Sequence, residues 1–127
     1  MHTYKALSLK QPFANWIAEG RKAIETRVWS TNYRGDLVIC SSKSPKIEPA
    51  GYALCIVEVY DVKPMKKEDE KEACCKVYPK AQSWFLRNTR KIDPIIPVKG
   101  QLNIFNLELQ EKLDFNWPKE PHPNLIS

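Results

Sequence analysis

The run ALCIVEVYDV at residues 53–62 is dense in β-branched and apolar side chains, and the Lys63-Pro64 pair after it stops it. A chain with such a segment builds a sheet, and the other patterns decide which kind. Strand-like runs recur at 23–29, 37–40, 84–90 and 102–109, bounded by proline, glycine and asparagine. Helical spacing follows Pro12: Phe13, Trp16 and Ile17 fall at i, i+3 and i+4 and share a face until Gly20 ends the helix. Residues 65–75, MKKEDEKEACC, mix helix formers with both charges and predict a short surface helix with a solvated face. About five strands and two or more helices, with short connections and no glycine-rich phosphate loop, predict an α+β domain. Its sheet is expected to be strongly curved or closed, because a doubly wound fold needs regular βαβ alternation.

The chain has 127 residues, a size that suits one domain, and 43% hydrophobic with 28% charged residues excludes a disordered composition. We expect a single domain over residues 1–113. A tail at 114–127, punctuated by Pro118, Pro121 and Pro123, is expected to wrap the surface or fray. No apolar run approaches the ~20 residues of a membrane-spanning helix, and MHTYKALSLK lacks the apolar centre of a signal peptide. The expected location is cytoplasmic, with no membrane partner. Cys40 and Cys55 lie in apolar runs and read as small buried hydrophobes, while adjacent Cys74 and Cys75 lack the spacing of a redox pair. His2 and His122, the only histidines, lie near the two ends, which argues against histidine-based catalysis. No residues have metal-ligand spacing, so neither a metal nor a cofactor is expected.

Charge is more informative than its total. The chain carries a net +5, and residues 1–50 hold eight basic against four acidic side chains, most of that excess. Anionic partners are favoured, though weakly. The excess centres on GRKAIETRVWSTNYRG at 20–35. Period-two alternation there puts Ile24, Thr26 and Val28 on one strand face and Glu25, Arg27 and Trp29 on the other. Lys22 precedes that strand, and Ser41, Ser42 and Lys43 end a neighbouring one, so these positions can converge. Arginine and lysine suit phosphates. Glu25 repels phosphate but can accept hydrogen bonds from a base. Trp29, Trp84 and Tyr33 are candidate stacking platforms, and Trp16 reads as core. The simplest alternative is structural: a Glu25–Arg27 ion pair that merely closes the sheet.

ALSLKQPFANWI, GRKAIETRVWSTNYRGDLVICSSK and PVKGQLNIFNLEL together resemble the ASCH domain, in its free-standing prokaryotic or phage form. The G-x-K-x-x-E-x-R core is met by Gly20, Lys22, Glu25 and Arg27, and the flank W-x-T-x-Y-R-G by Trp29, Thr31, Tyr33, Arg34 and Gly35. The resemblance implies a small PUA-like β-barrel with helices beside it and a cleft lined by the motif. It implies RNA or single-stranded nucleic acid, or a nucleoside-like small molecule, as ligand. The expected binding residues are Lys10, Lys22, Glu25, Arg27, Trp29, Tyr33, Arg34, Ser42 and Lys43.

Two other readings stay open. One family branch resembles an amidohydrolase acting on N4-acetylcytidine, with the motif G-x-K-T-x-T-x-R and a threonine nucleophile. Here Ala23 and Glu25 occupy the two threonine positions, and Thr26 falls on the opposite strand face. That mechanism does not carry over. Lys22 and Glu25 could still serve a different hydrolase, acting on a modified nucleoside or on RNA, as oxyanion stabiliser and general base. The remaining reading is a protein-interaction module in transcriptional or RNA-related regulation, contacting partners through the charged segment 65–75.

Overall fold

The computed structural model describes residues 1–110 and 112–113. The expected tail at 114–127 lies outside them. In chain order the elements are β1 (His2–Leu9), α1 (Phe13–Ala18), β2 (Ile24–Arg27), β3 (Gly35–Ser41), β4 (Tyr52–Pro64), a 3₁₀ turn at Lys67–Asp69 running into α2 (Glu70–Ala73), β5 (Gln82–Pro97) and β6 (Ile104–Leu109). The six strands form one sheet in the order β2-β5-β4-β3-β1-β6. Only β1 and β3 pair in parallel, with Ala6 opposite Val38 and Leu7 opposite Ile39. The described pairing is that of an open sheet with β2 and β6 at its edges, and it does not close into a ring.

The sheet has one strand more than expected, because β1 hides its character. Ala6 and Leu7 are neighbours in sequence and both are buried. A strand covered on both faces has no need of the polar alternation that identifies a half-buried one. One face carries a core of Leu7, Leu37, Ile39, Val57 and Trp84 under Ala14 and Ile17 of α1. The other gathers Ala6, Val38, Cys40, Ile56 and Phe105. Register shifts interrupt the β4–β5 ladder between Ala53 and Cys55, Ile56 and Glu58, and Val59 and Asp61, and shifts of this kind bend and twist strands.

Other expectations are corrected too. The strand at 23–29 stops at Arg27, the one at 84–90 runs on to Pro97, and the one at 53–62 runs through the Lys63-Pro64 pair expected to stop it, since both residues still pair with β5. The shared face of Phe13, Trp16 and Ile17 splits. Ile17 enters the core with Ala14, while Phe13 and Trp16 stay half-buried, edge to face at 5.4 Å. The 65–75 helix is a 3₁₀ turn followed by four α-helical residues. It is tied down by buried Asp69, whose Oδ2 accepts from the Lys66 backbone N–H at 2.9 Å and from the Ser83 hydroxyl at 3.0 Å.

Two glycines bring loops to the end of the sheet where β1 and β3 finish. Gly51 has φ +83°, donates its N–H to the Ser41 carbonyl at 2.9 Å, and lies under the stem of Lys43. A Cβ there would stand 2.7 Å from Lys43 Cε. Gly100 lies so close over β1 that a Cβ would meet Ser8 Oγ at 2.5 Å. Gly51→Ala is therefore expected to cost about 1–3 kcal/mol of stability, because an L-residue is forced into a left-handed conformation. Urea denaturation measures this, and an unchanged unfolding midpoint would contradict it.

Candidate functional site

The chain turns sharply after α1. The backbone N–H groups of Arg21 and Lys22 both donate to the Trp16 carbonyl, at 2.9 and 3.0 Å. Ala23 is then clamped between two elements: its N–H donates to Glu72 at 2.9 Å, and its carbonyl accepts from Leu86 at 3.0 Å. This launches β2 along β5, with Glu25 opposite Trp84 and Arg27 opposite Gln82. Alternation then sorts the side chains. Ile24 packs with Met65, Ala73 and Ala81, and Thr26 receives the Tyr78 hydroxyl at 2.9 Å. Glu25 and Arg27 lie together on the opposite side.

Lys22 and Glu25 are buried, at 3% and 8% exposure. The Lys22 ammonium donates to the Ala73 carbonyl and lies 3.7 Å from Glu25 Oε1. Arg27 Nε is 3.2 Å from Glu25 Oε2, and Arg27 Nη2 donates to the Ser8 carbonyl at 3.0 Å. The two cations thus flank the two oxygens of one carboxylate. Burial raises the Glu25 carboxyl above its ordinary value, against the pull of the Arg27 and Lys22 charges.

This triad lines a cleft of about 830 Å³. Its other walls come from Lys10 and Phe13 after β1, Ser42 and Lys43 after β3, and the loop 99–103 before β6. Five cationic side chains, Lys10, Lys22, Arg27, Lys43 and Lys99, face a single carboxylate there. Lys10, Lys43 and Lys99 are exposed at the rim, with no ion-pair partner among the described residues. A volume of this order suits a small molecule or one or two nucleotide units. Among the described residues no group of three or more His, Cys, Asp or Glu side chains could hold a metal ion. None of their helices is long and apolar enough to cross a membrane.

Six of the nine residues picked out in the sequence therefore meet in the cleft: Lys10, Lys22, Glu25, Arg27, Ser42 and Lys43. Trp29, Tyr33 and Arg34 do not line it. Trp29 packs edge-on against Trp84 at 4.9 Å, and Trp84 is fully buried. The Tyr33 hydroxyl donates to the Asp36 carbonyl, and Arg34 Nη1 donates to the Thr31 and Tyr33 carbonyls at 3.0 and 2.9 Å. The W-x-T-x-Y-R-G flank builds a turn. Sequence reasoning missed Ser8, Phe13, Thr26, Cys75, Tyr78 and the loop 99–103, all of which line the cleft; Thr26 reaches it from the strand face opposite Glu25, together with Cys75 and Tyr78. For the loop a signal existed, since PVKGQLNIFNLEL is one of the stretches on which the resemblance rests. For Tyr78 and Cys75 there was none. All four cysteines are free, and burial pushes the thiols of Cys40 and Cys55 up to about 12.

A model of the ASCH domain matches residues 7–96. Among solved structures, the chain resembles ASCH from Zymomonas mobilis, with a TM-score of 0.62 at 15% identity over 84% of this chain and 87% of that one. A serine-to-alanine mutant of the Zymomonas mobilis protein gives a TM-score of 0.59 at 14% identity, covering 84% of this chain and 88% of the other. A tyrosine-to-phenylalanine mutant gives 0.59 at 14%, covering 84% and 90%. At such identities the likeness concerns the fold alone. A comparison with curated protein sequences gave no match.

Proposed function

We propose that this chain, which belongs to the ASCH domain family, binds RNA or a nucleotide-like ligand in the cleft floored by Lys22, Glu25 and Arg27. ASCH is a PUA-like family, and membership suggests RNA binding at that coarse level. The observation that carries the reading is the division of charge. The rim lysines Lys10, Lys43 and Lys99 are exposed and unpaired among the described residues, whereas on the floor Lys22 and Glu25 are buried and the two cations Lys22 and Arg27 are both engaged by one carboxylate. Phosphates favour the first environment and a base edge the second. Phe13 and Tyr78, rather than the tryptophans, offer rings to a base in the cleft.

Lysine footprinting tests this. Bound single-stranded RNA is expected to protect Lys10, Lys43 and Lys99 from acylation, read by mass spectrometry, while Lys63 and Lys91 outside the cleft stay reactive. Uniform protection, or none, would contradict it.

A hydrolase is the second reading, favoured by one observation: the Glu25 carboxyl is raised by burial and sits beside a cation in a cleft. Release of acetate from N4-acetylcytidine, lost in Glu25→Gln, would favour it over binding alone. The expected charged contact surface at 65–75 has a structural part, since Ala73 accepts from Lys22 and Glu72 accepts from Ala23.

A further inference from the structure

The floor of the cleft presents its polar groups in a definite order. Lys22 Nζ stands beside Oε1 of Glu25 and Arg27 Nε beside Oε2, so the sequence across the floor is donor, acceptor, donor. The cations keep capacity for a ligand. Lys22 has three N–H groups, of which Ala73 takes one and Glu25 faces another. Arg27 has five, and its hydrogen bond is to Ser8 through Nη2. Arg27 Nε is buried beside the carboxylate without an aligned hydrogen bond, so the internal ion pair does not exhaust the donors. Ionised Glu25 can only accept.

Base edges differ in the same terms. On its pairing edge cytosine has a donor at one end followed by two acceptors, guanine an acceptor followed by two donors, and adenine a donor beside an acceptor. Uracil and thymine alone place a single donor, N3–H, between two acceptors, O4 and O2. That order is the complement of the floor. Cytosine would set its N3 lone pair against the Glu25 carboxylate, and guanine would leave a cation facing its amino group. A buried polar site discriminates most strongly when the wrong ligand leaves its groups unpaired.

Resting on the nucleic-acid reading above, we propose that the cleft selects a uracil-type base, with Glu25 accepting from N3–H while Lys22 and Arg27 donate to the two flanking carbonyls. The ribose and phosphates then point outward to Lys10, Lys43 and Lys99. Thymine shares the edge, so the inference fixes the base and not the sugar.

The test is fluorescence anisotropy of labelled hexamers of uridine, cytidine, adenosine and N3-methyluridine, with a thymidine hexamer to compare sugars. The uridine hexamer is expected to bind about tenfold or more tighter than the cytidine and adenosine hexamers. N3-methylation of the wild-type ligand should abolish that advantage, with no change to the protein. Glu25→Gln, whose amide both donates and accepts, is expected to bring uridine and cytidine to similar affinity. Equal affinities for all bases, with binding still lost in Arg27→Ala, would overturn the base selection and leave the cleft reading intact. Failure of every hexamer to bind would overturn both.

Discussion

Replacing Lys22 by methionine is expected to lower the unfolding free energy by about 3–5 kcal/mol at neutral pH, the usual cost of removing one partner from a buried ion pair. That is a large share of the roughly 5–15 kcal/mol that holds a domain together. Methionine matches the length of the lysine stem, so packing around Phe13 and Ala73 changes little. What is lost is the ammonium that bonds the Ala73 carbonyl and lies 3.7 Å from Glu25. The deficit should depend on pH with a definite sign. Glu25 is already raised by burial, and removing Lys22 takes away one of the two charges that oppose the shift. A carboxyl raised in the folded state binds more protons folded than unfolded, so stability falls as pH rises from its ordinary range through its folded value. Below that range the carboxyl is protonated in both states and this part of the deficit disappears. Urea unfolding of wild type and Lys22→Met at about pH 4 and pH 7 is therefore expected to show the larger difference at pH 7. An equal difference at both would mean that Glu25 is not the group that Lys22 serves.

The second large effect concerns the rim. Changing Lys10, Lys43 and Lys99 together to glutamine should lower affinity for single-stranded RNA about a hundredfold near 0.1 M salt. The estimate assumes one phosphate per lysine. Each contact contributes about 0.7 to the slope of log affinity against log salt, so three account for about 2. The three side chains are exposed, and their loss should leave the unfolding midpoint nearly unchanged. Wild-type and variant isotherms at several salt concentrations give the slopes directly, and parallel slopes would show that these lysines do not meet phosphate.

Much of this arrangement was legible in the sequence where local pattern coincides with burial. The run at 53–62 became β4, because a strand that dense in β-branched residues has little alternative. Glu25 and Arg27 were correctly placed on one face because β2 is an edge strand whose two sides differ, which preserves a period of two. β1 escaped because its second half, from Ala6 to Leu9, lies inside the sheet and is covered on both sides, while its first half is largely exposed. Trp29, Tyr33 and Arg34 lie outside the cleft for a different reason. Aromatic and cationic residue types suit a ligand site, but here the ring packs on Trp84 and the arginine on the carbonyls of its own turn. The loop 99–103 reaches the cleft only because Gly100 can settle against Ser8. A contact between the two ends of the fold leaves no periodicity to read.

Nucleic acid bound in the proposed Lys22–Glu25–Arg27 cleft should depend on the Arg27 guanidinium. The most direct measurement is fluorescence anisotropy of a short single-stranded RNA with wild type and Arg27→Ala, at about 50 and 200 mM salt, with circular dichroism as the check on folding. Binding is expected to weaken with salt in the wild type and to be lost at both concentrations in a folded Arg27→Ala protein. Binding of equal strength in the two proteins would place the nucleic acid elsewhere.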